Sequence, residues 1–237
     1  MKLVGLIPAR GGSKGIPHKN LAPCAGRPLL AYTAEAAMEA ACLERVILST
    51  DEESIAEAGR GMGLDVPFLR PAKLAADDTP MLAVLEHLLG WLDEANDPVD
   101  GLVLLQPTSP LRRAEHIDGA VELYKKMSPA TVVSVVAVPH QFTPASLMEE
   151  TDGLLVPWME GEMVLRRQDK PHLWARNGPA VLIVRPDDVR QGRLYGDRVA
   201  GFEMDARNSM DVDTMEDLEA VERLILWEAG TMKEATS

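Results

Sequence analysis

The chain has 237 residues, of which 24 are Lys or Arg and 37 are Asp or Glu, so its formal net charge is −13 at pH 7. Apolar residues make up 46% and charged residues 26%, an ordinary globular balance that excludes a wholly disordered or collagen-like chain. The acidic balance disfavours a general nucleic-acid binder, because affinity for phosphate backbones comes mainly from Lys and Arg. The acidic net charge is still compatible with binding of a small phosphorylated ligand in a local basic pocket.

Short apolar runs alternate with longer amphipathic segments along most of the chain. The runs predict buried strands at residues 3–7, 45–50, 66–69, 101–106, 131–138 and 180–184. The intervening segments predict helices at residues 28–43, 51–62, 79–94, 114–127 and 214–228. For the last helix, Asp213 as N-cap and Glu216 three residues later form the start signal. Uninterrupted apolar strands separated by helices predict an α/β fold with an open, mostly parallel sheet flanked by helices.

Five prolines between residues 139 and 179 interrupt this alternation. We expect this segment, called the excursion below, to leave the sheet as hairpins that reach a partner subunit, within a single domain of residues 1–237. The short polar tail, residues 231–237, is expected to fray.

The cysteine content and the apolar runs bear on the compartment. Cys24 and Cys42 are too few for a disulfide framework in a chain of this length, which favours a reducing cytosol. The apolar run before Pro8 is shorter than a signal peptide requires, and no run approaches the ~20 residues of a membrane span. We therefore expect a soluble, cytoplasmic protein.

The loop after the first predicted strand, residues 8–20, has the sequence PARGGSKGIPHKN. Its glycines let backbone N–H groups approach a ligand. Arg10, Lys14 and Lys19 add three positive charges, and Ser13 adds a hydroxyl. At the carboxyl end of a strand, this combination favours polyphosphate binding over a merely solvated turn. The loop matches neither the Walker A pattern nor Gly-x-Gly-x-x-Gly.

Two carboxylates near the last helix are candidate metal ligands. Asp211 and Asp213 lie two residues apart in an extended stretch, which places both side chains on one face. Such carboxylates repel each other unless a cation lies between them, and Mg²⁺ prefers oxygen ligands shared with phosphates. Asp213 has a second interpretation as a helix N-cap, whereas Asp211 has none, so Asp211 is the stronger candidate.

Six motifs in chain order resemble the signatures of the acylneuraminate cytidylyltransferase family, the CMP-sialic acid synthetases and their relatives. They are the glycine-rich loop, Ser49-Thr50-Asp51, Leu69-Arg70-Pro71 with Asp77-Asp78-Thr79, LQPTSPLR at 105–112, Arg176-Asn177-Gly178, and SMDVDT at 209–214. Each motif alone is modest, but together they cover almost the whole chain. The resemblance implies an open α/β nucleotide-binding sheet, a homodimer, and Mg²⁺-dependent transfer of CMP from CTP to the anomeric hydroxyl of an acidic, nonulosonate-type sugar, with release of pyrophosphate.

The resemblance also implies roles for individual residues. The implied catalytic residues are Arg10, Lys19 and Asp211, and the implied metal ligands are Asp211 and Asp213. The implied nucleotide-binding residues are Ala9, Arg10, Gly11, Ser13, Lys14, Lys19, Asn20, Arg70, Asp78 and Thr79. The implied substrate-binding residues are Gln106, Arg166, Arg167, Gln168 and Arg176.

Several of these residues have plainer interpretations. Arg70 fits a surface ion pair about equally well. The segment 107–110 fits a stiff turn, and Arg112 fits a structural role. The resemblance places the basic residues of the excursion against the acceptor's carboxylate in a neighbouring subunit. The same residues also fit an ordinary basic surface patch.

Two departures from the family pattern leave the acceptor open. Residues 140–146 lack the lysine that sialic acid synthetases tend to carry after a His-containing turn, and Arg176-Asn177-Gly178 replaces the common Arg-x-Asn-Gly. Legionaminate, pseudaminate, a related nonulosonate or a less usual acceptor therefore all fit the chain.

Other functions were weighed against this one. A sugar-1-phosphate nucleotidylyltransferase usually has glycine where this chain has Arg10, and an enzyme using a different NTP stays open. A CMP-ketodeoxyoctonate synthetase fits the Gln106 motif less well. A non-catalytic nucleotide-binding protein should have lost one of the four charged residues of the site, and Arg10, Lys19, Asp211 and Asp213 are all present.

Overall fold

The structure is a computed structural model that describes residues 1–159 and 164–230. Its strands are β1 (Leu3–Pro8), β2 (Pro23–Cys24), β3 (Arg27–Pro28), β4 (Arg45–Ser49), β5 (Gly101–Leu104), β6 (Thr131–Ala137), β7 (Met148–Thr151), β8 (Leu154–Pro157), β9 (Trp174–Arg176), β10 (Leu182–Val184) and β11 (Val199–Glu203). Its helices are α1 (Leu29–Glu39), α2 (Glu53–Gly61), α3 (Met81–Glu94), α4 (Ala114–Met127), α5 (Pro186–Arg190) and α6 (Met215–Glu228). The predicted fraying of residues 231–237 lies outside the described residues.

The main sheet has the strand order β11-β6-β10-β5-β1-β4, with β9 alongside the end of β6. β1 pairs in parallel with β4 and β5, and β6 pairs in parallel with β11. β10 is antiparallel to both of its neighbours, β5 and β6. This direction follows from the connection, because the chain leaves β6 at its carboxyl end and returns into β10 from that same side. The predicted α/β class and mostly parallel sheet are confirmed.

Alternate residues of the central strands enter two separate apolar cores, one on each face of the sheet. Leu3, Ile7 and Val103 face a core that includes residues of α1 and α4. Val4 and Leu6 face the other core, which includes buried leucines of α3. Each fully buried aliphatic side chain contributes roughly 1.5–3 kcal/mol. The helices therefore cover both faces, as the uninterrupted apolar strands predicted.

A third, smaller core lies beside the glycine-rich loop. Ile16 of that loop packs there with Leu111, Val212 and residues of α6 such as Leu218 and Val221. Val212 is fully buried. Through this core, three segments that are far apart in the sequence meet at one end of the sheet.

The predicted strand at 66–69 is wrong. Asp65 forms a single parallel bridge with Ile47, and the chain then continues beside β4 without forming a ladder. Pro67 lacks the N–H that a ladder would require two residues after the bridge. Within the described residues, the backbone next bonds to the chain beyond β4 where the Arg70 N–H donates to the Thr50 carbonyl at 2.7 Å.

The predicted start of the last helix is also wrong by one residue. Thr214 is the N-cap of α6, and its capping partner is Asp217. The Asp217 carboxylate accepts hydrogen bonds from the Thr214 N–H at 2.8 Å and from the Thr214 hydroxyl at 2.8 Å. Asp213 and Glu216 have the same spacing, but the Asp213 carboxylate accepts a hydrogen bond from Lys19 instead of capping the helix.

The excursion, residues 139–179, contains the antiparallel hairpin β7–β8 and then β9, which returns to β6. Its large apolar side chains are exposed: Phe142, Leu154, Leu155, Trp158 and Leu165 are 60% to 79% exposed. Among the described residues, no helix has the length and apolar character to cross a membrane.

Candidate active site

A cavity of about 410 Å³ opens at the carboxyl ends of β1 and β5. In open α/β sheets, ligands bind in this position. The cavity is lined by Pro8, Arg10, Gly12, Ser13, Lys14, Gly15, Lys19, Asn20, Met81, Gln106, Pro107, Thr108 and Asp213. Most of the residues predicted to bind the triphosphate therefore line the same cavity as Gln106 and one of the two aspartates.

The backbone of the glycine-rich loop is fixed by groups that leave its cations free. Ala9 is fully buried and its N–H donates to the Ser49 carbonyl at 2.9 Å. The Gly11 N–H donates to an Asp51 carboxylate oxygen at 3.0 Å, and the Asn20 amide donates to the Arg10 carbonyl at 2.9 Å. Asn20 therefore shapes the loop in addition to lining the cavity.

Gly15 allows the loop to lie against the aspartate segment. A Cβ added at Gly15 would collide with the carbonyl oxygen of Asp213, a backbone atom that cannot swing away. On the same segment, the Val212 N–H donates to the Thr108 carbonyl at 2.7 Å. The glycine-rich loop, the segment after β5 and the aspartate segment are thus bound to one another.

Lys19 connects the loop to the aspartates. Its ammonium donates to the Val212 carbonyl at 2.8 Å and to an Asp213 carboxylate oxygen at 3.0 Å. The Lys19 side chain is only 14% exposed, so this contact holds a mostly buried cation at the edge of the cavity.

Asp211 is half-buried, and its surroundings make ionisation harder, although Lys19 and two hydroxyl groups favour the charged form. The Ser109 hydroxyl donates to one of its carboxylate oxygens at 3.4 Å. Burial raises the pKa of the Asp211 carboxyl, and the charge of Asp213 raises it further, against hydrogen bonds from the Thr108 and Ser109 hydroxyls. Val212 points into the small core between the two aspartates, which turns both carboxylates to the other side. A cation beside them would relieve this repulsion.

The two exposed cations of the loop share one carboxylate that sequence reasoning did not assign to the site. Asp77 forms ion pairs with the Arg10 guanidinium at 2.5 Å and with the Lys14 ammonium at 2.8 Å. The Lys14 ammonium, followed by the Arg10 guanidinium, lowers the pKa of the Asp77 carboxyl. The signal was present, since Asp77 begins one of the family-like motifs, but we had expected its neighbours Asp78 and Thr79 to line the pocket.

Arg70 is buried rather than a member of a surface ion pair. Its side chain is 3% exposed and lies 3.8 Å from the Asp51 carboxylate. Its Nε and Nη2 are buried and have no hydrogen-bond partner among the residues that the structure describes. Asp78 is exposed, and the Thr79 hydroxyl donates to the Lys73 carbonyl at 3.4 Å. None of Arg70, Asp78 and Thr79 is among the described residues that line the cavity, so their nucleotide contacts stay predictions.

Gln106 lines the cavity, and its backbone is held from behind by Arg112. The Arg112 guanidinium donates to the Gln106 carbonyl at 3.1 Å and to the Ala180 carbonyl at 2.8 Å. Arg112 is 2% exposed, and burial lowers its pKa to about 9. These contacts support the structural interpretation of Arg112.

The remaining predicted substrate residues lie elsewhere in this subunit. Arg167 and Gln168 line a separate cavity of about 800 Å³, together with residues 137–141 and 170–172. Arg166 forms an ion pair with Asp169 at 2.6 Å, and the Arg176 guanidinium lies 5.1 Å from the centre of the Tyr195 ring. The structure of one chain therefore does not bring these residues to Gln106.

Comparison with known proteins agrees with this arrangement. The family model described as "Cytidylyltransferase" matches residues 4–234, so the chain belongs to the cytidylyltransferase family and is a nucleotidyltransferase. It is 30% identical to CMP-N,N'-diacetyllegionaminic acid synthase of Legionella pneumophila, over 95% of this chain and 97% of that protein. It is 32% identical to N-acylneuraminate cytidylyltransferase of Streptococcus agalactiae over 92% of this chain, but spans only 52% of that longer protein.

A solved structure of CMP:2-keto-3-deoxy-manno-octonic acid synthetase complexed with CTP has the same fold. It matches with a TM-score of 0.73 over 96% of this chain and 100% of its own, at 18% sequence identity. At that identity the likeness concerns the fold alone.

Proposed function

We propose that the protein transfers CMP from CTP to the anomeric hydroxyl of an acidic, nonulosonate-type sugar and releases pyrophosphate. The observation that supports this proposal most strongly is the convergence of the cationic glycine-rich loop, Gln106 and Asp213 on one cavity. The names of the relatives, which are CMP-sugar acid synthases and N-acylneuraminate cytidylyltransferases, indicate the same class of acceptor.

The loop supplies what the triphosphate needs. Arg10, Lys14 and Ser13 line the cavity with positive charge and a hydroxyl donor, on a backbone already fixed by hydrogen bonds. The sugar hydroxyl oxygen attacks the α-phosphorus while the bond to pyrophosphate breaks, and negative charge accumulates on the phosphate oxygens. Fixed cations and N–H groups stabilise that charge without reorganising, and alignment supplies much of the rest.

The two aspartates fit a magnesium ion. Both are hard oxygen donors, and burial together with the charge of Asp213 raises the pKa of Asp211, so a further cation beside the pair would stabilise the ionised carboxylate. The described residues include no group of three or more His, Cys, Asp or Glu side chains suited to a metal, so phosphate oxygens and water would complete the coordination. When bound, Mg²⁺ would neutralise phosphate charge and make the phosphorus more electrophilic. Asp211 and Asp213 would hold it, and Lys19 would fix the orientation of Asp213.

The acceptor side of the proposal depends on Gln106 and on the excursion. A glutamine amide at a strand end can bond a sugar hydroxyl or carboxylate. Arg167, Gln168 and Lys170 line a second cavity whose described lining contains no acidic residue. The Lys170 ammonium donates to the Ser146 hydroxyl at 2.6 Å. This hydrogen bond brings a lysine to the turn at 140–146, which has no lysine of its own. The positive charge of that lysine supports an acidic acceptor.

We propose that these cationic residues complete the site of a second subunit in a homodimer. The exposed apolar side chains of the excursion, such as Leu154 and Leu155, support this assembly, because several large apolar side chains exposed in one segment are typical of a protein contact. A cytoplasmic location suits such an enzyme. Cys24 and Cys42 are both free thiols, and burial raises their pKa values to about 11 and about 12.

The test is pyrophosphate release measured with CTP, ATP, GTP and UTP against N-acetylneuraminate, legionaminate, pseudaminate, ketodeoxyoctonate and a sugar 1-phosphate. We expect turnover with CTP and a nonulosonate, loss of turnover in EDTA, and recovery with Mg²⁺. Turnover with a sugar 1-phosphate and none with any sugar acid would establish the alternative acceptor class instead.

A further inference from the structure

The carboxylate of Asp77 occupies a position between two cations that face the cavity. One of its oxygens lies 2.5 Å from the Arg10 guanidinium, and the other lies 2.8 Å from the Lys14 ammonium. Over residues 1–159 and 164–230, neither cation forms an ion pair with any other acidic group. Two oxygens bridging two cations resemble, in charge and spacing, two oxygens of a polyphosphate.

Asp77 is not needed to hold the loop in place. The loop backbone is already fixed by the Asp51 carboxylate at Gly11 and by the Asn20 amide at the Arg10 carbonyl. A third cation lies near this pair, since the pKa of the buried Arg70 guanidinium is lowered mainly by burial and further by the charge of Arg10. Asp77 therefore neutralises the positive charges of Arg10 and Lys14 but contributes little to holding the backbone of the loop.

The segment that carries Asp77 lies at the surface. The Asp77 side chain is 42% exposed, and none of residues 71–79 belongs to the buried cores. The segment is closed by local contacts, such as the Thr79 hydroxyl on the Lys73 carbonyl at 3.4 Å. Displacing the carboxylate would cost two partly exposed ion pairs and no apolar burial.

We propose that Asp77 is a built-in anion that competes with polyphosphates for Arg10 and Lys14 and so limits how tightly they bind. This inference rests on the proposed function and deepens it. An arriving triphosphate displaces the carboxylate, and after CMP transfer the carboxylate returns to the cations as pyrophosphate leaves. Product affinity is thereby kept low at a site whose cations would otherwise retain pyrophosphate.

Pyrophosphate is the appropriate probe, because it has no base or sugar to contact other parts of the site. Its Kd is measured by titration calorimetry with the wild-type protein and three variants. Asp77→Asn removes the charge, Asp77→Glu keeps it, and Glu86→Gln removes an exposed charge on α3 as a matched control. We expect Asp77→Asn to bind pyrophosphate about three- to tenfold more tightly than the other three proteins. An unchanged or weaker affinity in Asp77→Asn would overturn the inference.

A second titration with CTP separates this inference from the proposed function. If CTP binds wild-type protein and turns over, but Asp77→Asn shows the wild-type pyrophosphate affinity, the inference alone fails. If neither CTP nor pyrophosphate binds any of the four proteins, the proposed function fails and the inference fails with it. In turnover with CTP, the inhibition constant for pyrophosphate should fall in Asp77→Asn by the same factor as its Kd.

Discussion

Asp211 holds a charge that the ligand-free fold does not favour. Its folded-state pKa is raised by burial and by Asp213, so ionisation is harder in the folded than in the unfolded chain. Stability contributed by such a group is present at low pH and is lost as the pH rises through the folded pKa. At neutral pH the ionised carboxylate therefore destabilises the fold, because Lys19 and the Thr108 and Ser109 hydroxyls offset the effect of burial only in part. A bound cation would offset the remainder.

Asp211→Asn should consequently separate stability from activity. We expect a higher Tm than wild type by calorimetry at pH 7.5 in EDTA, and a loss of pyrophosphate release of about 10²-fold or more. Asp213→Asn is the matched control, because Asp213 is 74% exposed and already paired with Lys19, so its Tm should not rise. An active Asp211→Asn enzyme would remove the metal assignment, and a lower Tm would contradict the charge argument.

Gly15 is a second residue at which a single added carbon atom should lower activity. In Gly15→Ala the new Cβ meets the Asp213 carbonyl, so the loop must withdraw from the aspartate segment. We expect kcat/KM for CTP to fall about 10- to 100-fold, since misplacement of about 1 Å can cost this much. Gly12→Ala, whose Cβ would have no heavy atom within 4 Å, should lose distinctly less. Equal losses in the two variants would show that the close approach is unimportant.

At the scale of single residues, sequence predicted the cations of the loop but not the way they are engaged. Arg10, Lys14 and Lys19 follow directly from a charged glycine loop after a strand. That Asp77 reaches two of them, and that Asp51 holds Gly11, depends on how loops from different strands fold over one another. No spacing rule gives contacts of this kind, because the partners are 40 or more residues apart.

Among the elements, the start of α6 tests how the aspartate segment is held. Thr214→Ala removes the hydroxyl that caps the helix and should lower the free energy of unfolding by about 1 kcal/mol in urea denaturation. Glu216→Ala, at the position that the sequence pattern favoured, should change it by less than about 0.5 kcal/mol. The opposite ranking would place the helix start at Asp213 after all.

The same helix shows why element boundaries are harder to predict than elements. The stretch from 213 to 217 offers two acceptable caps one residue apart, Asp213 with Glu216 and Thr214 with Asp217. Only the engagement of Asp213 by Lys19, a tertiary contact, decides between them. Similarly, β9 and β11 were not predicted, because these short strands at the edge of the sheet keep exposed residues and lack a continuous apolar run.

For the molecule as a whole, the exposed apolar side chains of the excursion carry the expectation of a dimer. Replacing Leu154 and Leu155, which are 71% and 68% exposed, with serine should convert a dimer of about twice 25.8 kDa into a monomer. Sedimentation equilibrium measures the mass directly. Met127→Ser, an exposed methionine at the end of α4, should leave the mass unchanged. A wild-type protein that sediments as a monomer would contradict the expectation.

Net charge, the other whole-molecule property, conceals a local reversal. A formal charge of −13 describes the surface as a whole, yet three cations of one loop lie together beside a pair of aspartates. The composition disfavours binding to nucleic-acid polymers, and that expectation stays a prediction. It could not show that cations and carboxylates from distant segments meet at one cavity, because that arrangement arises from the fold.

The excursion leaves and re-enters the sheet through a narrow stem. The Val138 N–H donates to the Leu173 carbonyl at 2.9 Å, directly beyond the pairing of β6 with β9. Residues 139–172 can therefore be lengthened or shortened without shifting the register of any core strand, and the entropy of closing such a segment changes slowly with its length. This stem is the natural junction for exchanging the segment between relatives, which would change the proposed acceptor contacts of the excursion and leave the glycine-rich loop intact.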